Sequence, residues 1–270
     1  MMIADIGCGT GILTRQLVDR NYSVIAIDPN IEMLELARQK SKSASNITAP
    51  FDVLRSSPVL KDTSKKIGKN PSSSNLLEND QSPISTRASN QGGAVYWLNQ
   101  SAESTCLPSN SIDIVISAQA FHWFNPERAL QEFSRILKAN GLLILLWNSA
   151  DESDPFTAQF WKILKDFAVE QEVVKDPHHF AGKYLLESSL FPNAQKIAFE
   201  NWQKMDLDSL IGRAFSASFA PKDESLKQKM IEQFKEIYTR FQIKDQISLK
   251  YSTDVYFSRK IGSSVDSNKN

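Results

Sequence analysis

Cysteine is nearly absent: Cys8 and Cys106 are the two in 270 residues. Neither has a second Cys or His at ligand spacing, so no disulfide framework and no metal site is expected, and a reducing compartment is the default. Charge of one sign is also missing, because lysine plus arginine and aspartate plus glutamate both total 31. Without a basic field, nothing in the charge favours nucleic acid or a membrane surface as a partner. Long apolar runs are lacking too. Leu142-Leu143-Ile144-Leu145-Leu146-Trp147 falls far short of the roughly 20 residues a bilayer-spanning helix needs and reads as a buried strand. The N-terminus shows no basic region followed by an apolar core and cleavage site. The expectation is a soluble, cytoplasmic protein.

What is present alternates between strand and helix. Met1 to Ile6 is a short apolar strand, Ile12 to Arg20 a helix, and Tyr22 to Ile27 a strand closing on Asp28-Pro29. Asn30 caps a helix with Ile31, Leu34 and Ala37 on one side. From 41 to 93 the chain is polar, rich in serine and asparagine and without a period, which predicts a disordered insertion. Strands resume at Ala94 to Leu98 and Ile112 to Ile116. Asn125-Pro126-Glu127 opens a helix striped by Leu130, Phe133, Ile136 and Leu137, which Asn140-Gly141 is expected to end before the strand Leu142 to Trp147. Further helices carry Phe156, Phe160, Leu164 and Phe167, and Leu226, Met230, Phe234, Ile237 and Phe241. Strands near Ala194 to Trp202 and Tyr251 to Ser258 would form an antiparallel pair. The predicted fold is α/β, a Rossmann-like, doubly wound and mostly parallel sheet with that C-terminal pair and a helical cap over its carboxyl edge. The corresponding domains are 1–150 (core), 151–261 (cap and final strands) and 262–270 (tail).

The chemistry begins at Asp5-Ile6-Gly7-Cys8-Gly9-Thr10-Gly11, a glycine loop between a strand and a helix. Such glycines let the backbone approach a ligand and adopt positive φ. A dinucleotide fingerprint would be Gly-x-Gly-x-x-Gly, with a pyrophosphate at the helix N-terminus. Here the pattern is Gly-x-Gly-x-Gly behind an acid. Asp5 would repel a pyrophosphate and suits a cationic amino acid such as the methionine moiety of S-adenosylmethionine. Asp28, at the end of the second strand, can accept hydrogen bonds from ribose hydroxyls. His178 and His179 adjoin each other, but the sequence offers them no ligand partners.

These motifs resemble the class I S-adenosylmethionine-dependent methyltransferases of the type 11 group. Ser101-Ala102-Glu103 with Leu107-Pro108 is similar to the adenine-side motif, although Ser101 stands where many relatives have Asp. Leu137-Lys138-Ala139-Asn140-Gly141 resembles the stretch before the fifth strand. Ala118-Gln119-Ala120-Phe121-His122-Trp123-Phe124, with Trp147-Asn148, is similar to a subgroup of trans-aconitate methyltransferase-like proteins. The resemblance implies S-adenosyl-L-methionine as cofactor, held by Asp5, Gly7, Gly9, Gly11, Asp28, Ala102, Glu103 and Gln119. It implies methyl transfer to a small-molecule acceptor, with a carboxylic acid among the candidates. His122 and Trp123 lie past the fourth strand, at the edge where open α/β sheets bind ligands. His122 is the candidate base and Trp123 a pocket wall. Relatives also carry a segment before the first strand, so a shortened chain is one expectation, and a non-catalytic binding or regulatory relative is the alternative function. A nicotinamide-dependent oxidoreductase is disfavoured by the loop spacing.

Overall fold

The computed structural model describes residues 1–41, 93–168, 178–217 and 219–261. The insertion expected within 41–93 and the tail at 262–270 therefore lie outside the described residues, apart from Ser41 and Gly93. In chain order the elements are β1 (Met2–Ile6), α1 (Ile12–Val18), β2 (Ser23–Ile27), α2 (Ile31–Lys40), β3 (Val95–Leu98), β4 (Ile112–Ala118), α3 (Pro126–Ile136), β5 (Leu137–Ala150), α4 (Pro155–Asp166), α5 (His178–Leu186), β6 (Gln195–Met205), α6 (Leu207–Phe215), α7 (Glu224–Phe241) and β7 (Ile247–Arg259). A single 3-10 turn, Phe121–Trp123, follows β4. The strands form one seven-stranded sheet in the order β3-β2-β1-β4-β5-β7-β6. β1 runs parallel to β2 and β4, and β2 parallel to β3, whereas β6 and β7 are antiparallel. The predicted Rossmann-like sheet with a C-terminal antiparallel pair is the one observed.

Chain contacts divide the protein into two compact units. The first comprises Met1–Leu143 and the stretch from Arg259. Its parallel registers set Asp5 level with Ala26 and Ile116, and Ile27 level with Leu98. The loops after β1, β2 and β4 therefore leave the sheet at the same edge. Ile3, Ala4, Ile6, Val24 to Ile27 and Val115 are buried, as near-continuous apolar strands covered on both faces should be. Helices start on side-chain caps: Asn30 Oδ1 accepts from the Glu32 and Met33 amides, and Asn125 Oδ1 accepts from Arg128 N–H with Pro126 in the first turn.

One boundary differs from the sequence reading. Asn140-Gly141 does not end α3, which stops at Ile136, where Leu137 turns extended. Asn140 keeps a left-handed φ of 61° inside β5. Its N–H donates to the Lys260 carbonyl, and Lys260 N–H donates to the Gly141 carbonyl. Strand pairing thus claims residues whose local chemistry fits a helix end.

The second unit, Ile144–Ser258, has its own core. Phe156, Phe160 and Leu164 of α4 pack with Met230, Phe234 and Ile237 of α7 and with Leu249 and Tyr251 of β7. Each fully buried side chain of this size contributes about 1.5–3 kcal/mol. Asp154 caps α4 by accepting from Thr157 N–H at 2.8 Å, and Asp223 caps α7 through Leu226 N–H at 2.9 Å. Among the described residues, no helix is long and apolar enough to cross a membrane.

Candidate functional site

The loop after β1 is tied down from beneath. Gly7 N–H and Cys8 N–H both donate to the Ile27 carbonyl, at 2.8 and 3.1 Å. The three glycines all have positive φ, 73°, 52° and 71°, yet they serve different ends. A Cβ on Gly7 would lie 2.4 Å from Ala120 Cβ and 3.0 Å from Phe124 Cζ, so its bareness admits the chain that follows β4. A Cβ on Gly11 would meet the Trp97 indole at 2.9 Å and Ala37 at 3.1 Å. Gly9 alone faces open space, with nothing within 4 Å of its would-be Cβ. It is therefore the glycine whose bare Cα leaves room for the close approach of a ligand.

Two carboxylates flank this loop with different hydrogen-bond partners. Asp28 Oδ2 accepts from Gly9 N–H at 2.8 Å, and Oδ1 accepts from Asn30 N–H at 2.9 Å. An ionised carboxylate offers about four acceptor positions, so each oxygen retains capacity for another donor. Asn99 Nδ2 fixes the same corner by donating to the carbonyls of Asp28 and Pro29, at 3.0 and 2.8 Å. Both are buried, Asp28 at 9% exposure and Asp5 more completely at 1%, where Asp5 accepts from the Thr14 hydroxyl at 2.5 Å. Burial pushes its acid up to about 6; the Thr14 bond works against this rise and the charge of Asp28 adds to it. Asp5 thus lies beneath the loop as a buried acid. Burial also raises the Cys8 thiol, and the charges of Asp5 and Asp28 reinforce the shift.

The remaining sequence-predicted residues fall on the loops beside it. Ala102 is buried, and Glu103 accepts from Asn125 N–H at 2.8 Å, linking the loop after β3 to the start of α3. Ser101 and Glu103 border an open groove of about 670 Å³, opposite Arg128, Gln131 and Arg135. Gln119 takes a left-handed φ of 57° as the chain leaves β4. In the turn that follows, Phe121 is buried against Phe133, and Trp123 is 78% exposed. The His122 and Trp123 rings stand 4.8 Å apart, centre to centre. Through the Gly7–Ala120 approach this turn sits directly on the glycine loop. Among the described residues no group of three or more potential ligands could hold a metal, while the side chains of His178 and His179 lie outside what is described.

Some supporting residues had no signal in the sequence. Thr14 is a polar residue on the buried side of α1, which is the one hint it gives. Asn99 and Trp97 follow no motif. Nor does the cluster around Glu132, whose carboxylate accepts from Thr105 N–H (2.9 Å), the Thr105 hydroxyl (2.6 Å) and Arg135 Nε (2.7 Å). Arg135 in turn donates to the Leu107 carbonyl at 2.7 Å, so the cluster clamps the loop after Ser101 onto α3. Burial raises the Glu132 acid, but the bonds from Arg135 and Thr105 outweigh it and hold the group below the usual carboxylate range.

Comparison with known proteins bears on what this arrangement does. Two family models, each described as a methyltransferase domain, match residues 3–63 and 63–145. An uncharacterized methyltransferase of Schizosaccharomyces pombe is 34% identical over 170 residues, covering 60% of this chain and 64% of its own length. One from Mycobacterium tuberculosis is 33% identical over 150 residues, covering 56% of this chain and 41% of its own. The chain thus aligns with less than two thirds of the length of either relative. Among solved structures, a candidate type II methyltransferase from Anaeromyxobacter dehalogenans superposes with a TM-score of 0.57 at 16% identity, covering 96% of this chain and 90% of that one. Likeness at that identity speaks for the fold.

Proposed function

We propose that the chain is a class I, S-adenosylmethionine-dependent methyltransferase that transfers a methyl group from S-adenosyl-L-methionine to a small-molecule acceptor, a reading supported by the two methyltransferase-domain matches at residues 3–63 and 63–145. The observation that carries this reading is the pairing of an open Gly9 with Asp28. A glycine with free space before it stands beside a carboxylate that has one acceptor position left on each oxygen. That combination fits a ribose diol lying along the loop. The buried charge of Asp5 favours a cationic ligand above it and disfavours a pyrophosphate. Ala102, Glu103 and Gln119 border the same edge and would complete the cofactor's seat. When bound, the cofactor supplies an electrophilic methyl group on a sulfonium, with a neutral thioether as leaving group.

What the protein itself contributes is alignment and exclusion of water. We assign Trp123, with its exposed indole, to the wall of the acceptor site and His122, whose ring lies 4.8 Å from it, to the role of base, a reading supported by that proximity and exposure. A carboxylic acid is the acceptor class we would test first, on the likeness of the His122-Trp123 motif to the trans-aconitate methyltransferase-like subgroup. Such an acceptor is already ionised at neutral pH and requires no base; a hydroxyl or amine would lose its proton to His122.

Calorimetry with S-adenosylmethionine tests the first half of the reading. The wild type should bind, and Asp28→Asn should bind about tenfold more weakly, a loss of about 1.4 kcal/mol. Absence of binding by the folded wild type would sink the proposal. His122→Asn tests the second half. With a carboxylate acceptor its kcat should stay near wild type, whereas with a hydroxyl acceptor it should fall by about 100-fold or more.

A further inference from the structure

β6 is the outermost strand of its sheet, and ten consecutive residues of it, from Gln195 to Lys204, are exposed on both faces. Ile197 and Phe199 are 43% and 55% exposed and share one face with Val255 and Phe257 of the paired β7. Among the described residues nothing pairs with the outer edge of β6. A long, regular, unpaired edge is a template for strand addition, and such edges are ordinarily shortened, bulged, covered or charged; this one carries Lys196, Glu200 and Lys204 but also exposes Ile197, Phe199 and Trp202. This one is regular over its whole pairing with β7, from Gln195 opposite Phe257 to Met205 opposite Ile247.

The sequence of the strand indicates what it fits. Two identical antiparallel strands related by a two-fold axis must set one residue opposite itself, because successive residues direct their backbone groups to alternate edges. Any residue of the strand can take that central place, so the side-chain pairs across the ladder choose among the registers. Centring on Glu200 would oppose the two Glu200 carboxylates and set Lys196 against the partner's Lys204. Centring on Phe199 would put Lys196 opposite the partner's Trp202 and Ala198 opposite the partner's Glu200. Centring on Ala198 opposes Lys196 with the partner's Glu200, Ile197 with the partner's Phe199 and Gln195 with the partner's Asn201, each twice by symmetry. Opposite charges and apolar pairs directly across a ladder are the stabilising combinations, and like charges the destabilising ones.

We infer that the protein forms a two-fold dimer through β6, strand against strand, in the register centred on Ala198. The ladder runs from Gln195 to Asn201 in each copy and makes a four-stranded β7-β6-β6-β7 arrangement. Small Ala198 side chains meet at the axis, and the Ile197 and Phe199 side chains of the two copies cover one another's flanks. Lys196 and Glu200 already pair within their own copy, with Asp254 at 2.9 Å and Lys250 at 3.4 Å. The added charge pairs therefore select the register more than they supply affinity.

Sedimentation velocity on the full chain over a wide concentration range tests this, with a species of twice the 30.4 kDa chain mass expected. Phe199→Lys, an exposed change present twice in the interface, should abolish that species while leaving the melting curve of the dilute monomer unchanged. Under mild oxidation Ala198→Cys should form a disulfide between the two copies at position 198, read by peptide mass mapping, and Gln203→Cys should not. A wild type that stays monomeric throughout, a dimer that survives Phe199→Lys, or cross-linking at 203 in preference to 198 would each overturn the inference.

Discussion

Replacing Asp5 with asparagine separates what stabilises this protein from what its site requires. In the folded chain the Asp5 acid titrates near 6, against 3.8 for the free group, chiefly because burial disfavours the ionised form. The folded state therefore holds a proton that the unfolded chain has released between about pH 4 and 6, and stability falls as pH rises through that window. Each unit of displacement is worth about 1.4 kcal/mol, so the wild type carries a penalty of about 3 kcal/mol above pH 6 that is absent near pH 4. Asparagine cannot ionise, yet its side-chain oxygen can still accept the Thr14 hydroxyl. Asp5→Asn should then melt higher than wild type at pH 7.5 by an increment that disappears near pH 4. At about 2–4 °C per kcal/mol for a chain of this size, the difference between the two pH values should be roughly 6–12 °C. The same substitution removes the negative charge beneath a cationic ligand, so affinity for S-adenosylmethionine should fall by about tenfold. Paired melts at the two pH values and one calorimetric titration decide it. An equal shift at both pH values, or destabilisation confined to pH 7.5, would refute the assignment of a buried, costly charge to Asp5.

Three other outcomes follow from the geometry. Gly9→Ala should fold with a cost of about 1 kcal/mol for its left-handed backbone but lose most of its cofactor affinity by calorimetry, because its methyl group fills the space the ligand needs. Gly7→Ala should show the opposite emphasis, a lowered melting temperature from the 2.4 Å approach to Ala120 even without ligand. Glu132→Gln, which leaves Arg135 without its charged partner, should destabilise the fold by about 1–3 kcal/mol at neutral pH. Because the Glu132 acid is held low, this difference should be fully present above the ordinary glutamate range and shrink as acid protonates the wild-type group.

Much of the architecture could be read from the chain because its local and global signals agree. The apolar strands, the Asn30 and Asn125 caps and the glycine loop each have a local cause, and all lie where expected. Reading failed where a distant partner decided the outcome. Asn140-Gly141 carries helix-ending chemistry, yet hydrogen bonds to Lys260 hold it inside a strand. The acid of the glycine motif is legible as a charge behind the loop, but its burial against Thr14 depends on how α1 packs. The Thr105–Glu132–Arg135 clamp joins residues of a loop and a helix with no spacing rule between them. The unpaired edge of β6 was likewise invisible, since composition does not tell an edge strand from an inner one.

Under the proposed function, the bare Cα of Gly7, on which Ala120 rests, also bears on redesign of the acceptor preference. Any exchange of the His122-Trp123 turn for another sequence inherits a size limit at residue 120. A larger side chain there would push back on the cofactor loop, and a change meant to alter what is methylated would surface as weaker cofactor binding. Libraries that vary the turn while holding position 120 at alanine or glycine should keep the two properties independent.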